Sequence, residues 1–379
     1  MRIALVSPLF ESVPPKFYGG TERIVAYLCQ GLTELGHEVT LFASGDSQAR
    51  VDLVPTVSSA LRLANQKGLD SVSMHIAQLA AVSRRAHDFD VIHNHMDYLG
   101  FPLALQGSTP VVSTLHGRLD HPDTIKVLES YEDIALVSIS NAQRLPVPNL
   151  HWVGTVYHGL PLASFAFNSQ PGKYLAFLGR ISPEKRPDMA IAIARRSGVP
   201  LKIAAKIDAA DRDYYEHSIK GLIDGTFVEY IGEINEREKS AFLGEALGLL
   251  FPIDWPEPFG LAPLEAWACG TPVLARPFGS VPEIHVDNVT GFVRNTVDEL
   301  AAMVPQLANI SRTGIRAHAE QHFSLHRMCE DYLNVYQQFR QGTRRAPLQL
   351  GQPNGREWRV LHSVGVPPSR YQQDRFEGQ

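Results

Sequence analysis

Glu257 and Glu265 stand eight positions apart in the stretch FPIDWPEPFGLAPLEAWACGTPVLARPFGSVPE (251–283), and no other two glutamates of the chain share that spacing. An apolar run ending at Leu249, Leu250 and Phe251 reads as a buried strand, which Pro252, Pro256 and Pro258 forbid from continuing. The loop then carries Glu257 and Phe259 to Gly260. From there Leu261, Ala262, Leu264, Ala266, Trp267 and Ala268 read as a buried helix closed by Cys269-Gly270. The first N–H groups of a helix lack intrahelical partners and lie at the positive end of its macrodipole, so Gly260 and Leu261 open a seat for phosphate. Glu257 lies just ahead of that seat, and Glu265 about one and a half turns into the helix, its Cβ tilted back toward the same end. A carboxylate beside a phosphate is repelled by it and is suited instead to accept hydrogen bonds from hydroxyls. The chemistry these residues suggest is the holding of a sugar nucleotide.

Cations on a separate loop fit that chemistry. The apolar run Tyr174–Leu178 ends in Gly179-Arg180 and, after Pro183-Glu184, Lys185, ahead of a helix with Met189, Ala190, Ile193 and Ala194. Arg180 and Lys185 therefore sit beyond a strand's carboxyl end, where two cations match the charge of a diphosphate and each bond to it is worth ~1.5–3 kcal/mol. Near the start, Ile3–Val6 form a strand-length apolar run. A loop follows with Gly19-Gly20, then a helix of Ile24, Val25, Leu28, Leu32 and Leu35 that Gly36 ends. The paired glycines let backbone approach a ligand without forming the Gly-x-Gly-x-x-Gly of dinucleotide dehydrogenases. His93, His95 and His116 also fall at strand ends, but none has the spacing of a metal site. No Asp-x-Asp of the kind that holds a metal ion is expected in the chain.

These residues require elements that alternate. Val39–Ala43, the segments ending at His95, His116 and Ser140, and Leu201–Ala205 and Val228–Ile231 read as strands, with helix expected over 57–89, 298–308 and 315–340. Strands alternating with helices imply an α/β fold with parallel sheets, which bind ligands beyond their strand carboxyl ends. A chain of 379 residues, 44% of them apolar, supports two cores. The net charge of −5 leaves no footprint for nucleic acid. Cys29, Cys269 and Cys329 form neither a metal spacing nor a disulfide framework, no apolar run approaches the ~20 residues of a membrane span, and Met1–Val6 reads as a strand rather than a leader. A soluble cytoplasmic protein is expected. Between 160 and 172 the composition turns to loop, and beyond 341 Gln, Gly, Pro and Arg dominate without periodicity, as in a disordered or loosely docked tail (341–379).

Glu257-Pro-Phe-Gly260, the seven residues before Glu265, Ala268-Cys-Gly-Thr-Pro-Val273 and Gly279-Ser-Val-Pro-Glu283 resemble the donor-site signature of the retaining family-4 glycosyltransferases of GT-B fold (group 1). The resemblance runs from Met1 to about residue 340. It implies two Rossmann-like, doubly wound parallel-sheet domains facing across a cleft: an acceptor-side domain over 1–165, a nucleotide-sugar domain over 170–324, and a C-terminal helix at about 325–340 crossing back to the first. It further implies retaining transfer of a hexose from a nucleoside diphosphate sugar, UDP-glucose on family frequency, to a hydroxyl acceptor, with neither metal nor cofactor. Under that resemblance Arg180 and Lys185 clamp the diphosphate, which Gly19 and Gly20 face across the cleft. Ile234 lies where the base is held, and Phe259, Gly260 and Leu261 form the phosphate seat. Glu257 would hold the sugar's hydroxyls, Glu265 the ribose, and the His116 of Ser-Thr-Leu-His-Gly the hexose. The acceptor is expected near Phe17, Tyr18, His95, Asp97, Tyr98 and Arg118, as a soluble small molecule or sugar. His158 and Pro161 depart from the family's Asn and Asp, so their turn reads as an interdomain hinge. A nucleotide-sugar epimerase or phosphorylase of the same fold, or a non-catalytic sugar-nucleotide binder, is the alternative.

Overall fold

The computed structural model of the chain describes residues 1–340 except 17, 18, 63, 65–69 and 106. The expected tail at 341–379 and the acceptor-side candidates Phe17 and Tyr18 lie outside the described residues. Two parallel sheets organise the rest. The first is built from β1 (Arg2–Val6), β2 (Glu38–Ser44), β3 (Asp52–Val57), β4 (Val91–Asn94), β5 (Val111–Thr114), β6 (Leu136–Ser138) and β7 (Trp152–Thr155), in the order β3-β2-β1-β4-β5-β6-β7. The second comprises β8 (Tyr174–Arg180), β9 (Leu201–Lys206), β10 (Val228–Gly232), β11 (Ala246–Phe251), β12 (Val273–Ala275) and β13 (Gly291–Val293), ordered β10-β9-β8-β11-β12-β13.

Past the exposed Arg2, both central strands are apolar, as expected of parallel strands buried on both faces. Ile3, Ala4, Leu5 and Val6 of β1, and Leu249 and Leu250 of β11, are buried. Strand order reverses direction between β1 and β4 and again between β8 and β11, and a doubly wound sheet opens its ligand crevice at such a switch point. The two glycines follow β1, the histidines end or follow β4 and β5, the Arg180 loop ends β8 and the Glu257 loop follows β11. The sequence thus delivers its chemically equipped loops to the two switch points.

The helices are shorter than expected in two places. Residues 57–89 begin with the end of β3, and their helix spans only Ser71–Arg84, capped by Asp70, which accepts from Val72 and Ser73 N–H. The expected helix over 315–340 is two, Arg312–His322 and Leu325–Arg340, broken at Phe323-Ser324. In the second, Leu325, Met328, Cys329, Tyr332, Val335 and Tyr336 repeat at helical spacing and pack into the core of the first sheet unit. Each such side chain contributes about 1.5–3 kcal/mol through burial. The C-terminal helix therefore does cross back to the first unit, and Tyr332 and Tyr336 hydrogen-bond Thr114 (3.1 Å) and His93 (2.6 Å) there.

The chain passes between the units twice, at about 156–173 and again at 323–325, and the two passages are paired. Leu160 N–H donates to Phe323 O (2.8 Å), and Leu325 N–H to Leu160 O (2.9 Å). Gly159 lets them touch, since a Cβ there would stand 2.3 Å from the Ser324 carbonyl oxygen.

Candidate active site

A cavity of about 610 Å³ opens between the carboxyl edges of the two sheets. Gly19, Gly20, Tyr98, His116, Arg118, Arg180, Lys185, Ile234, Glu257, Phe259, Gly260, Leu261 and Glu265 all line it, so residues 246 positions apart in sequence meet in one space.

The wall formed by the second unit is ionic. Gly260 sits at φ +91, a conformation that disfavours any side chain, and hands the loop to the helix Leu261–Ala268. Glu257 is fixed from three sides. Its carboxylate takes the Lys185 ammonium and accepts from Trp255 Nε1 at 2.7 Å. Its carbonyl accepts from Ser280 N–H at 3.0 Å, and a Cβ on Gly279 would lie 2.2 Å from that oxygen. Lys185 also stands over the Trp255 ring, 4.8 Å from its centroid. Glu265, only 3% exposed, pairs at 2.7 Å with Lys239. Arg180 meets Asp208 and Asp211, each at 3.5 Å, and Glu184 at 3.8 Å.

The wall formed by the first unit is mixed: Glu22, Arg23, Arg62 and Arg118 line it beside a patch of neutral histidines. His116 lines the cavity, burial pushes its imidazole down to about 3, and its Nε2 bonds His95 Nδ1 at 2.9 Å. The His116 backbone N–H donates to Asp97 Oδ1 (3.0 Å). Asp97 itself has φ +47, and burial pushes its carboxyl up to about 6 against the pull of that N–H. Arg118 forms a two-pronged bond to Asp120 (2.8 and 2.5 Å) and lies 5.4 Å over the Trp255 ring, reaching the opposite wall. Tyr98 is 44% exposed at the rim.

One candidate is displaced. His95, expected against the acceptor, is fully buried and does not line the cavity; it stands behind His116, its ring 3.9 Å from that of His93. Residues at the end of a short strand alternate between faces, and His95 follows β4 on the side turned into the core. His93 bonds Thr114 and Tyr336.

Among the lining residues that carried no clear spacing signal are Lys239, Arg23, Trp255 and His158. Lys239 and Arg23 line the cavity, and Arg23 pairs with Glu236, which lies at the start of the helix Glu236–Gly244 that also carries Lys239. The capping box of Asn235 and Glu238 marks that helix start and was the available signal. Trp255 was hidden among prolines. His158, assigned to a hinge, lies in the cavity wall with its ring stacked 5.5 Å from His116 and edge-on to Phe259 at 4.8 Å. Two Asp-x-Asp triplets do occur, 88–90 and 211–213. Asp88 and Asp90 pair with Arg85 and Arg2 away from the cavity, while Asp211 pairs with Arg180. Among the described residues no three His, Cys, Asp or Glu side chains are grouped to hold a metal ion.

The second unit matches the family model for glycosyl transferases group 1 over residues 164–316, and the first matches that for Glycosyltransferase Family 4 over 18–145. The D-inositol 3-phosphate glycosyltransferase of Mycolicibacterium smegmatis is 27% identical over 336 residues, covering 72% of this chain and 74% of that protein. Sucrose-phosphate synthase of Thermosynechococcus elongatus superposes with a TM-score of 0.75 at 18% identity, over 90% of this chain and 100% of the other. The HepE protein of Anabaena, solved in complex with UDP, superposes with a TM-score of 0.69 at 17% identity, over 89% and 100%.

Proposed function

The chain belongs to the family-4 glycosyltransferases of GT-B fold, and on that premise we propose that it moves a hexose, with retention of anomeric configuration, from a nucleoside diphosphate sugar to a hydroxyl acceptor. The observation that carries this reading is the convergence of Arg180, Lys185, Glu257 and Glu265 on one cavity at the open end of the helix Leu261–Ala268. In the reaction the bond from the anomeric carbon to the diphosphate breaks, and its electron pair leaves on the phosphate oxygen. That is where negative charge grows, and Arg180, Lys185 and the N–H groups near Gly19, Gly20, Gly260 and Leu261 are the groups placed to stabilise it. Lys185 and Lys239 now neutralise Glu257 and Glu265. A diphosphate arriving at Lys185 shares that cation and releases Glu257 to accept from sugar hydroxyls, while Glu265 accepts from the ribose.

His116 stays neutral, so it can exchange hydrogen bonds with the hexose without bringing a charge to it. A double displacement needs a carboxylate nucleophile at the anomeric carbon, and Glu257 is engaged in donor binding. We therefore favour substitution on the face the leaving group departs from: the acceptor oxygen bonds the anomeric carbon and its proton passes to the leaving phosphate oxygen. No metal or cofactor is required in this scheme. UDP-glucose is the donor we favour, and a small soluble molecule or sugar the acceptor, in a cytoplasmic setting. No described helix is long and apolar enough to cross a membrane. Nucleotide release from a panel of UDP- and GDP-sugars, followed by acceptors screened with the winning donor, tests the reading. Turnover of sugar phosphate plus acceptor without nucleotide would replace it with a phosphorylase, and binding without release with a non-catalytic protein.

A further inference from the structure

The segment Gly279-Ser280-Val281-Pro282-Glu283 is bonded to both halves of the cleft. On its own side Ser280 donates from N–H to Glu257 O (3.0 Å) and from Oγ to Phe259 O (2.5 Å). Gly279 is pressed so closely beneath Glu257 that no side chain fits between them. The segment and the Glu257 loop therefore move as one piece.

Its far end leaves that unit. The Glu283 carboxylate accepts from the backbone N–H groups of Asn141 (2.8 Å) and Ala142 (2.5 Å), from Asn141 Nδ2 (3.2 Å) and from Tyr157 OH (2.9 Å). Asn141 and Ala142 belong to the first unit, at the start of the short helix Asn141–Arg144, and Tyr157 lies just past β7, where the chain leaves that unit. Hydrogen bonds to an ionised acceptor are about twice as strong as neutral ones. Burial nevertheless pushes the Glu283 carboxyl above its ordinary range, because its donors only partly replace the water it has lost. The Asn141 and Ala142 groups bond this carboxylate only while the two units are closed on each other.

We propose that Glu283 is a positioning residue that couples closure of the cleft to the placement of Glu257: the first unit grips the carboxylate, and Ser280 transmits that grip to the Glu257–Phe259 loop. This rests on the transferase reading, since it assigns Glu283 a part in bringing the donor sugar to the acceptor. The cations of the diphosphate clamp, Arg180 and Lys185, lie on the second unit, with only the Gly19 and Gly20 N–H groups opposite, so turnover should fall much further than nucleotide affinity.

The test uses the full chain carrying Glu283→Gln, which keeps the shape but sets an amide N–H2 against N–H donors, with Tyr157→Phe as a milder variant that removes a single bond. Expected are a fall in kcat of about tenfold for Glu283→Gln and about threefold for Tyr157→Phe, a Kd for UDP within about twofold of wild type, and a larger radius of gyration in X-ray scattering with UDP bound. A kcat within twofold of wild type in a folded Glu283→Gln protein overturns the proposal, as does a UDP affinity that falls by the same factor as kcat. Should the wild-type chain transfer no sugar, the transferase reading fails on its own. The scattering comparison still decides the coupling, because equal radii for wild type and Glu283→Gln with UDP bound would overturn it.

Discussion

On the second unit's wall of the cleft, Lys185 and Lys239 each meet a glutamate and Arg180 meets three acids. On the facing wall His116 and His158 are held uncharged by burial and the carboxyl of Asp97 is pushed upward, while Arg23 and Arg118 are occupied by Glu236 and Asp120. One wall stores opposite charges in pairs that a charged ligand can exchange for its own. The other keeps the patch around His116 and His158 uncharged between cations that already have partners. Under the proposed function, the difference lets a diphosphate exchange with the ion pairs of one wall while the histidine patch opposite stays neutral.

The contrast breaks most severely if a buried pair is halved. Lys239→Ala leaves Glu265 buried and uncompensated, and should cost about 3–5 kcal/mol of stability in denaturant unfolding; a loss below about 1 kcal/mol would mean that the pair behaves as a surface contact. Glu257→Ala should lower kcat by about 10²–10³ through loss of a preorganised polar contact, and near wild-type transfer by a folded variant would remove Glu257 from the site. The uncharged patch on the facing wall is probed by pH. His116 has a folded pKa of about 3, below its ordinary 6.5, so its contribution to stability is present above about 6.5 and is lost as pH falls toward 3. His116→Gln should accordingly flatten the decline of Tm on acidification. Asp97 has the opposite sign: its folded pKa of about 6 lies above 3.8, so its contribution is present below about 4 and is lost as pH rises through 6. Asp97→Asn should match wild type in Tm near pH 4 and exceed it at pH 7, and a constant difference across that range would contradict the assignment. The smallest effect belongs to the rim, where Tyr98→Ala should raise the acceptor KM by about threefold to tenfold and leave donor hydrolysis unchanged.

The wall of paired charges was the legible one. Glu257, Glu265, Arg180 and Lys185 each follow a strand or open a helix whose limits prolines and glycines announce, so short-range spacing places them. Lys239 was not legible, because its pairing with Glu265 joins two helices 26 positions apart and leaves no local period. On the facing wall the strand ends at His93, His95 and His116 could be found, but which face each ring takes is decided by packing against Tyr332 and Tyr336, over 200 residues away. His95 was misplaced for that reason. His158 was read as a hinge element because its turn departs from the family's residues, while its role as a wall depends on stacking against His116 across the fold. Helix lengths failed where a single backbone exchange, such as that between Leu160 and the 323–325 turn, interrupts an otherwise continuous apolar period.

That exchange has a mechanical consequence. Units joined by one tether can swing through a cone, but here two lengths of chain run side by side and hydrogen-bond each other, forming a narrow ribbon. A ribbon bends readily in one direction and resists twist and shear. The two sheets should therefore approach along a single arc, presenting donor to acceptor at a repeatable angle, with Gly159 at the fold line.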